Sequence, residues 1–448
     1  MLLLFLAALS LQDAKQRYNE KIQEMNQLFW TERLKIADWA KEAGLYREAR
    51  EHYEFMVKNI PGSHPYKARA SNQLVGPWKK QPNKAAEAKQ KEYAKRLDAY
   101  YRSVADRCFE AYRIAKSGGL AEEARTCLGK TVEFYLAHPA ARKERGEERV
   151  EGFGWVPKAD ADLSRAAVPA GPPDELEKDD AKHETWGTAW VVRSKHYLLR
   201  TDLPIRRAVA VLELLEKLYD ALVAWCEGTF TEPAPPLGVY FFRKTRDLEA
   251  ERARLPGARS TVAFYHQFTG VVYVRSFDSA AEQGDGVGRS DQEFLLHECA
   301  HQFFDLAAGA RIVSTFQQAD QRADAPDNFW IMEGIAGYFS TLRFENGEAK
   351  LGGDTWRLPE VRKLLSSGRL PGLRAFLTLN GDEFLARSAE NYAIAYAFAA
   401  YLAETRKKPF VAFLKEYYLG SGSVDAFEKA VGKTEKLEPE FRGWLEGR

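Results

Sequence analysis

Cysteine is scarce in this chain: Cys108, Cys127, Cys226 and Cys299 are scattered through 448 residues. Four such residues exclude a disulfide scaffold and a cysteine zinc knuckle, so any metal needs other ligands. Charge of one sign is lacking as well. Lysine and arginine total 65 against 64 aspartates and glutamates, a net charge of +1. That balance provides no global field for gripping a phosphate backbone, and nucleic-acid binding is not expected. Apolar runs are short. Residues 2–9, LLLFLAAL, fall well below the roughly 20 residues a transmembrane helix requires, so no transmembrane span is expected. What is present describes a folded protein. Hydrophobic residues make up 45%, with 10 Trp, 20 Tyr and 26 Phe, which excludes wholesale disorder. At about 100–200 residues per domain, the length accommodates two or three units.

The apolar run at the start reads as a signal-peptide core over residues 1–12, followed by a highly charged chain. Export to a periplasmic or extracellular space is the expectation, with the cytoplasm as the alternative should Leu2 to Leu9 open a buried helix. From 13 to 165 the pattern is a helical module rich in Ala, Glu, Lys, Arg and Leu. It contains an internal repeat: AKEAGLYREAR, Ala40 to Arg50, returns as AKSGGLAEEAR, Ala115 to Arg125, and each copy is followed by a His-Pro pair, at His64 and His138. Glycine at 44 and 119 permits the left-handed turn that ends one helix before the next begins. The pattern resembles tetratricopeptide-type helical hairpins. Such a module serves as a packing scaffold or as a surface for a protein partner. Cys108 and Cys127 fall on neighbouring helices and could pair in an oxidising compartment. The lysine-rich stretch Lys79 to Lys95 reads as a solvated helix face.

Prolines at 169, 172 and 173 and a run of acidic residues mark 166–185 as a linker. Beyond it, 186–448 reads as an α+β domain, strands first and helices later. Trp190–Val192 and His196–Leu199 form one hairpin, Thr261–His266 and Val271–Arg275 a second. Pro204 to Trp225 is an amphipathic helix, and Leu237 to Phe242 a buried strand. The strand Val271–Arg275 is a candidate edge on which an extended peptide could add, with an ordinary internal strand as the equal alternative.

The chemistry concentrates in His297-Glu298-Cys299-Ala300-His301, inside DQEFLLHECAHQFFD. Flanking Phe and Leu residues make this a helix, and the four-residue spacing sets both imidazoles on one face, suited to two ligands of one metal ion. A third ligand is available at Glu333, the single carboxylate in NFWIMEGIAGYF. A glutamate among Trp, Ile and Met is costly to bury alone and is satisfied by a cation. Small residues after it leave room for another helix.

Together the two motifs resemble the gluzincin metallopeptidases, in which a His-Glu-x-x-His helix is followed by a Trp-x-x-Glu-Gly-x-Ala helix. More specifically they look like the peptidase-MA-like group, over roughly Trp186 to Leu414. The resemblance implies a zincin-like domain with one catalytic zinc held by His297, His301 and Glu333. It further implies peptide-bond hydrolysis with Glu298 as general acid/base, acting on a peptide or protein substrate. It also implies an oxyanion donor from a later helix, for which Tyr392 is favoured over Tyr396 on the same face. Asp305, four residues after His301, could orient that imidazole. Cys299 lies off the histidine face and is expected to be buried and apolar. The polar insert Thr315 to Asn328 could form part of the cleft rim. No Gly-x-Met-Glu-Asn box is found, so endopeptidase-like action is expected over exopeptidase action. The alternative from another class is a non-catalytic interaction protein, with binding helical repeats and an inactive or structural metallopeptidase-like domain.

Overall fold

The computed structural model describes residues 2–75, 86–255, 261–277, 286–308, 329–346, 348–353, 356–419 and 422–447. The insert Thr315–Asn328 and the start of Lys79–Lys95 lie outside them. The chain divides into two units, with the break between Gly146 and Glu147.

The first unit is helical: α1 (Leu2–Glu42), α2 (Tyr46–Asn59), α3 (Pro65–Leu74), α4 (Ala86–Ser117), α5 (Ala121–Phe134) and α6 (Pro139–Glu144). The sequence repeat is a structural one. Gly44 and Gly119 both have positive φ, +82° and +73°. The next residue's amide returns to the helix in each case, Leu45 N to Ala40 O at 2.8 Å and Leu120 N to Ala115 O at 2.9 Å, the six-residue closure of a Schellman turn. Each His-Pro pair then starts a helix. His64 caps α3 and His138 caps α6, the ring Nδ1 accepting from Tyr66 N and Ala141 N. Cys108 and Cys127 are buried free thiols, set against Met25 Sδ and the Tyr18 hydroxyl.

The second unit is α+β, built on a six-stranded mixed sheet. β1 (Glu147–Val150) and β2 (Gly154–Pro157) form a separate hairpin ahead of it. The sheet comprises β3 (Val168–Pro169), β4 (Trp190–Arg193), β5 (Tyr197–Thr201), β6 (Leu237–Phe242), β7 (Ala263–His266) and β8 (Val271–Arg275), in the order β3-β4-β5-β6-β8-β7. Both expected hairpins are present, β4 with β5 and β7 with β8. β5 runs parallel to β6 through the helix Ile205–Cys226, the long crossover that parallel pairing requires.

Two expectations need correcting. The 166–185 segment is folded into this unit: Val168–Pro169 pairs with β4, and Asp180 accepts from Ile205 N and Trp190 Nε1 at 2.9 Å each. Residues 147–165 also belong here, because the Gly152 carbonyl covers β6 so closely that a Cβ on Gly238 would meet it at 2.2 Å. Of the two readings of Val271–Arg275 the internal strand holds, between β6 and β7; the edges are β3 and β7.

Strand side chains alternate between two cores, as the pleat dictates. Leu199, Val239, Phe241, Val272 and Val274 join the large core with the C-terminal helices. Leu198, Tyr240, Phe242 and Tyr273 face a smaller one closed by Phe153, Val156 and Leu248. The helix Arg289–Ala307, called here the histidine helix, lies on the large-core face, as do the glutamate helix Trp330–Phe339 and the helix Ser388–Thr405.

Candidate metal centre

The histidine helix is pinned at both ends by buried polar groups. Near its start Asp291 is fully buried, ion-paired to Arg207, with Ser276 Oγ at 2.8 Å and Phe277 N at 2.6 Å completing its shell. Farther along, the Gln302 side-chain amide donates to Gly238 O at 2.9 Å and Gly270 O at 2.8 Å, tying the helix to β6 and to the β7–β8 turn. Phe303, Phe304 and Cys299 are buried in the core. Cys299 is therefore the apolar residue expected, its thiol pushed well up by burial.

This anchoring leaves His297 and His301 turned toward the glutamate helix. On its other side the glutamate helix is backed closely by the helix Ser388–Thr405, because Gly334 has no side chain: a Cβ there would lie 2.6 Å from Ala395 O. The three expected ligands meet. His297 Nε2 is 3.2 Å from Glu333 Oε2, His301 Nε2 is 3.4 Å from the same oxygen, and the two imidazole nitrogens are 3.1 Å apart. Among the described residues they form the one group of three or more His, Cys, Asp and Glu ligand atoms close enough to share an ion.

The electrostatics favour an ionised carboxylate. Burial alone would raise the Glu333 pKa, but His301 and His297 draw it well below the usual carboxylate range. Burial opposes charge on His301, while Glu333 outweighs it and raises that pKa. Three ligands about 2.0–2.1 Å from one tetrahedral zinc lie roughly 3.3 Å from each other. The observed separations match that figure, and a nitrogen, nitrogen, carboxylate set suits zinc chemically.

Glu298 is buried beside this cluster, and its Oε2 accepts from the backbone amide of Tyr265 on β7 at 2.7 Å. Asp305, also buried, accepts from the Tyr265 hydroxyl at 2.7 Å. Tyr392 is placed at the rim of the core with its ring edge-on to Phe384 at 5.2 Å. The Tyr396 hydroxyl donates to Gly353 O at 2.9 Å. A different tyrosine adjoins the cluster. Tyr418 ends the helix Lys407–Tyr418 and stacks on Phe304 at 6.0 Å; its buried hydroxyl has no hydrogen-bond partner among the described residues. Burial first, then the negative charges of Asp305 and Glu333, raise its pKa well above that of a free phenol.

Sequence reading missed Tyr265 and Tyr418. Tyr265 carried a weak signal in its hairpin, whereas Tyr418 is one of two adjacent tyrosines at the end of an apolar helix, which reads as core.

Comparison with known families adds one resemblance. Residues 294–418 match the model of a family described as a protein of unknown function, DUF1570. The match covers less than a third of the chain, yet it includes His297, Glu298, His301, Glu333 and Tyr418. A comparison with curated proteins finds no match.

Proposed function

We propose that the second unit is a zinc-dependent peptide hydrolase of the gluzincin, peptidase-MA-like kind, a zincin-like assembly of edge strand, histidine helix and glutamate helix. The observation that carries this reading is the convergence of His297, His301 and Glu333 at 3.1–3.4 Å. Two imidazole nitrogens that close share at most one proton, and a cation among all three atoms satisfies them together. One open position beyond a His₂Glu set distinguishes catalytic zinc from closed structural sites.

When bound, zinc supplies Lewis acidity toward a scissile carbonyl and lowers the pKa of a water to about 7. Glu298 takes the proton of the attacking water and returns it to the leaving nitrogen, its carboxylate aimed by the Tyr265 amide. β7 is an edge strand along which an extended substrate adds, through outward backbone groups other than the Tyr265 amide, which Glu298 already holds. Tyr418 takes the role expected of Tyr392. A buried phenol without a partner among the described residues is a donor available to the charge that develops on the substrate's carbonyl oxygen.

Export rests on the apolar run Leu2–Leu9. Among the described residues no helix is long and apolar enough to cross a membrane. The first unit's hairpins serve as scaffold and offer a surface for a protein partner.

The test pairs zinc content with hydrolysis of a mixed peptide library by wild type, Glu298→Gln and Glu333→Ala. Cleavage is expected to vanish in both variants, with zinc lost mainly in the second. Wild-type turnover by Glu298→Gln, or no cleavage by zinc-loaded wild type, rules the reading out.

A further inference from the structure

β7 is one of the two outermost strands of the sheet, and its backbone groups alternate between β8 and the open side. Arg275 N bonds to Val262 O at 2.9 Å, and the register pairs Ala263 with Val274 and Tyr265 with Val272. The amides of Ala263 and Tyr265 therefore point away from β8. The side chains alternate too: Phe264 enters the smaller core, whereas Tyr265 packs against the large one, on the side of the histidine helix. Tyr265 thus directs both its amide and its ring toward a single helix.

It binds that helix at two points. The amide donates to Glu298 and the hydroxyl to Asp305, each at 2.7 Å. These acceptors are seven residues apart, about two helical turns, and so lie on one face. His301 sits between them in the sequence. Glu298 makes no other hydrogen bond among the described residues. A strand residue that grips a helix at two points resists both rotation and sliding of the helix against the strand, whereas a single bond resists neither.

We propose that Tyr265 is a positioning residue. Its phenol on Asp305 fixes β7 against the histidine helix, and its amide then holds the Glu298 carboxylate in the orientation proton transfer requires. The catalytic half of this statement rests on the peptidase reading; the mechanical half does not.

The experiment uses the full chain as wild type, Tyr265→Phe, Asp305→Leu, which removes the acceptor, and the double variant, with Tyr392→Phe as control. Hydrogen–deuterium exchange over residues 262–266 reads the two-point grip whether or not the protein hydrolyses anything. Faster exchange is expected in Tyr265→Phe and Asp305→Leu and wild-type exchange in Tyr392→Phe. On a cleaved peptide, Tyr265→Phe is expected to lower kcat about ten-fold through loss of alignment. KM should stay within about two-fold, as expected when an interaction made only in the transition state is removed. Zinc content should be unchanged, and the double variant should lose no more than the weaker single one. Wild-type exchange in Tyr265→Phe overturns the grip. Wild-type kcat, or losses that multiply in the double variant, overturn the positioning role while leaving the peptidase reading intact. If Glu298→Gln cleaves as fast as wild type, the peptidase reading fails instead, and exchange alone decides the grip.

Discussion

The histidines of the helical unit and those of the second unit's histidine helix are the same residue used in opposite ways. In the first unit each imidazole is consumed by the protein. His64 and His138 cap helices, and His138 also reaches Asp106 at 3.2 Å. His52 is buried against the Tyr93 hydroxyl at 2.8 Å; burial, reinforced by the nearby Arg33 charge, holds its pKa well below the ordinary value and keeps it neutral. In the second unit His297 and His301 turn their Nε2 atoms toward one another and toward a single carboxylate oxygen. A capping histidine needs one backbone amide in front of it, and a metal-binding histidine needs other electron-pair donors in front of it. Spacing in the sequence separates the cases only partly, because both units carry histidines on or beside helices; what the ring nitrogen faces separates them fully.

The strongest way to break this contrast is to exchange the effects of the two kinds of histidine. His301→Ala is expected to reduce zinc affinity more than about 100-fold, exceeding the roughly 10–100-fold that outer-shell partners cost. His138→Ala should leave affinity unchanged, and competition with a chelator measures both. Gly334→Ala comes next. Its new Cβ would collide with Ala395 O at 2.6 Å, and overpacking of this kind costs about 1–3 kcal/mol. Denaturant unfolding should show that loss, with zinc affinity weakened too, since Glu333 is the adjacent residue. For His138→Ala itself, loss of a helix cap costs about 1 kcal/mol, visible in unfolding of the full chain and absent from metal binding.

The smallest effect concerns a carboxylate whose needs the protein meets alone. Glu428 accepts from Thr434 Oγ1, Lys433 Nζ and Arg374 Nη1, and these bonds, Thr434's first, hold its pKa down to about 2 from an ordinary 4.5. A pKa depressed on folding contributes stability that is fully present above the unfolded value and lost as pH falls toward the folded one. Glu428→Gln should therefore lower the unfolding midpoint by a few degrees at pH 7, and the difference should shrink between about pH 4.5 and 2. Glu333 is its counterpart, held ionised against burial by His301 and His297.

The grouping of His297, His301 and Glu333 was legible in the sequence because both its halves are local. His297, Glu298 and His301 are fixed by helical periodicity, and Glu333 stands out as one charge in an apolar helix. The repeated glycine turns at 44 and 119 were legible for the same reason. Features set by distant contacts were not. The division at Gly146 was obscured because the proline-rich 166–185 segment resembles a linker, yet it packs through Asp180 and pairs with β4. Whether β8 is an edge or an internal strand was left open because strand order is a property of the whole sheet. Tyr265 and Tyr418 reach the cluster from a strand and a helix that are respectively 33 and 85 or more residues from the Glu298 and Glu333 they adjoin. No spacing rule reports such approaches.

One measurement bears most directly on the centre: zinc stoichiometry and affinity of the purified full chain, by elemental analysis and chelator competition, in wild type and Glu333→Ala. One tightly held zinc per chain, lost or greatly weakened in the variant, is the expected result. A wild-type protein that takes up no stoichiometric zinc after supplementation, or a variant that holds it equally well, contradicts a metal centre at His297, His301 and Glu333.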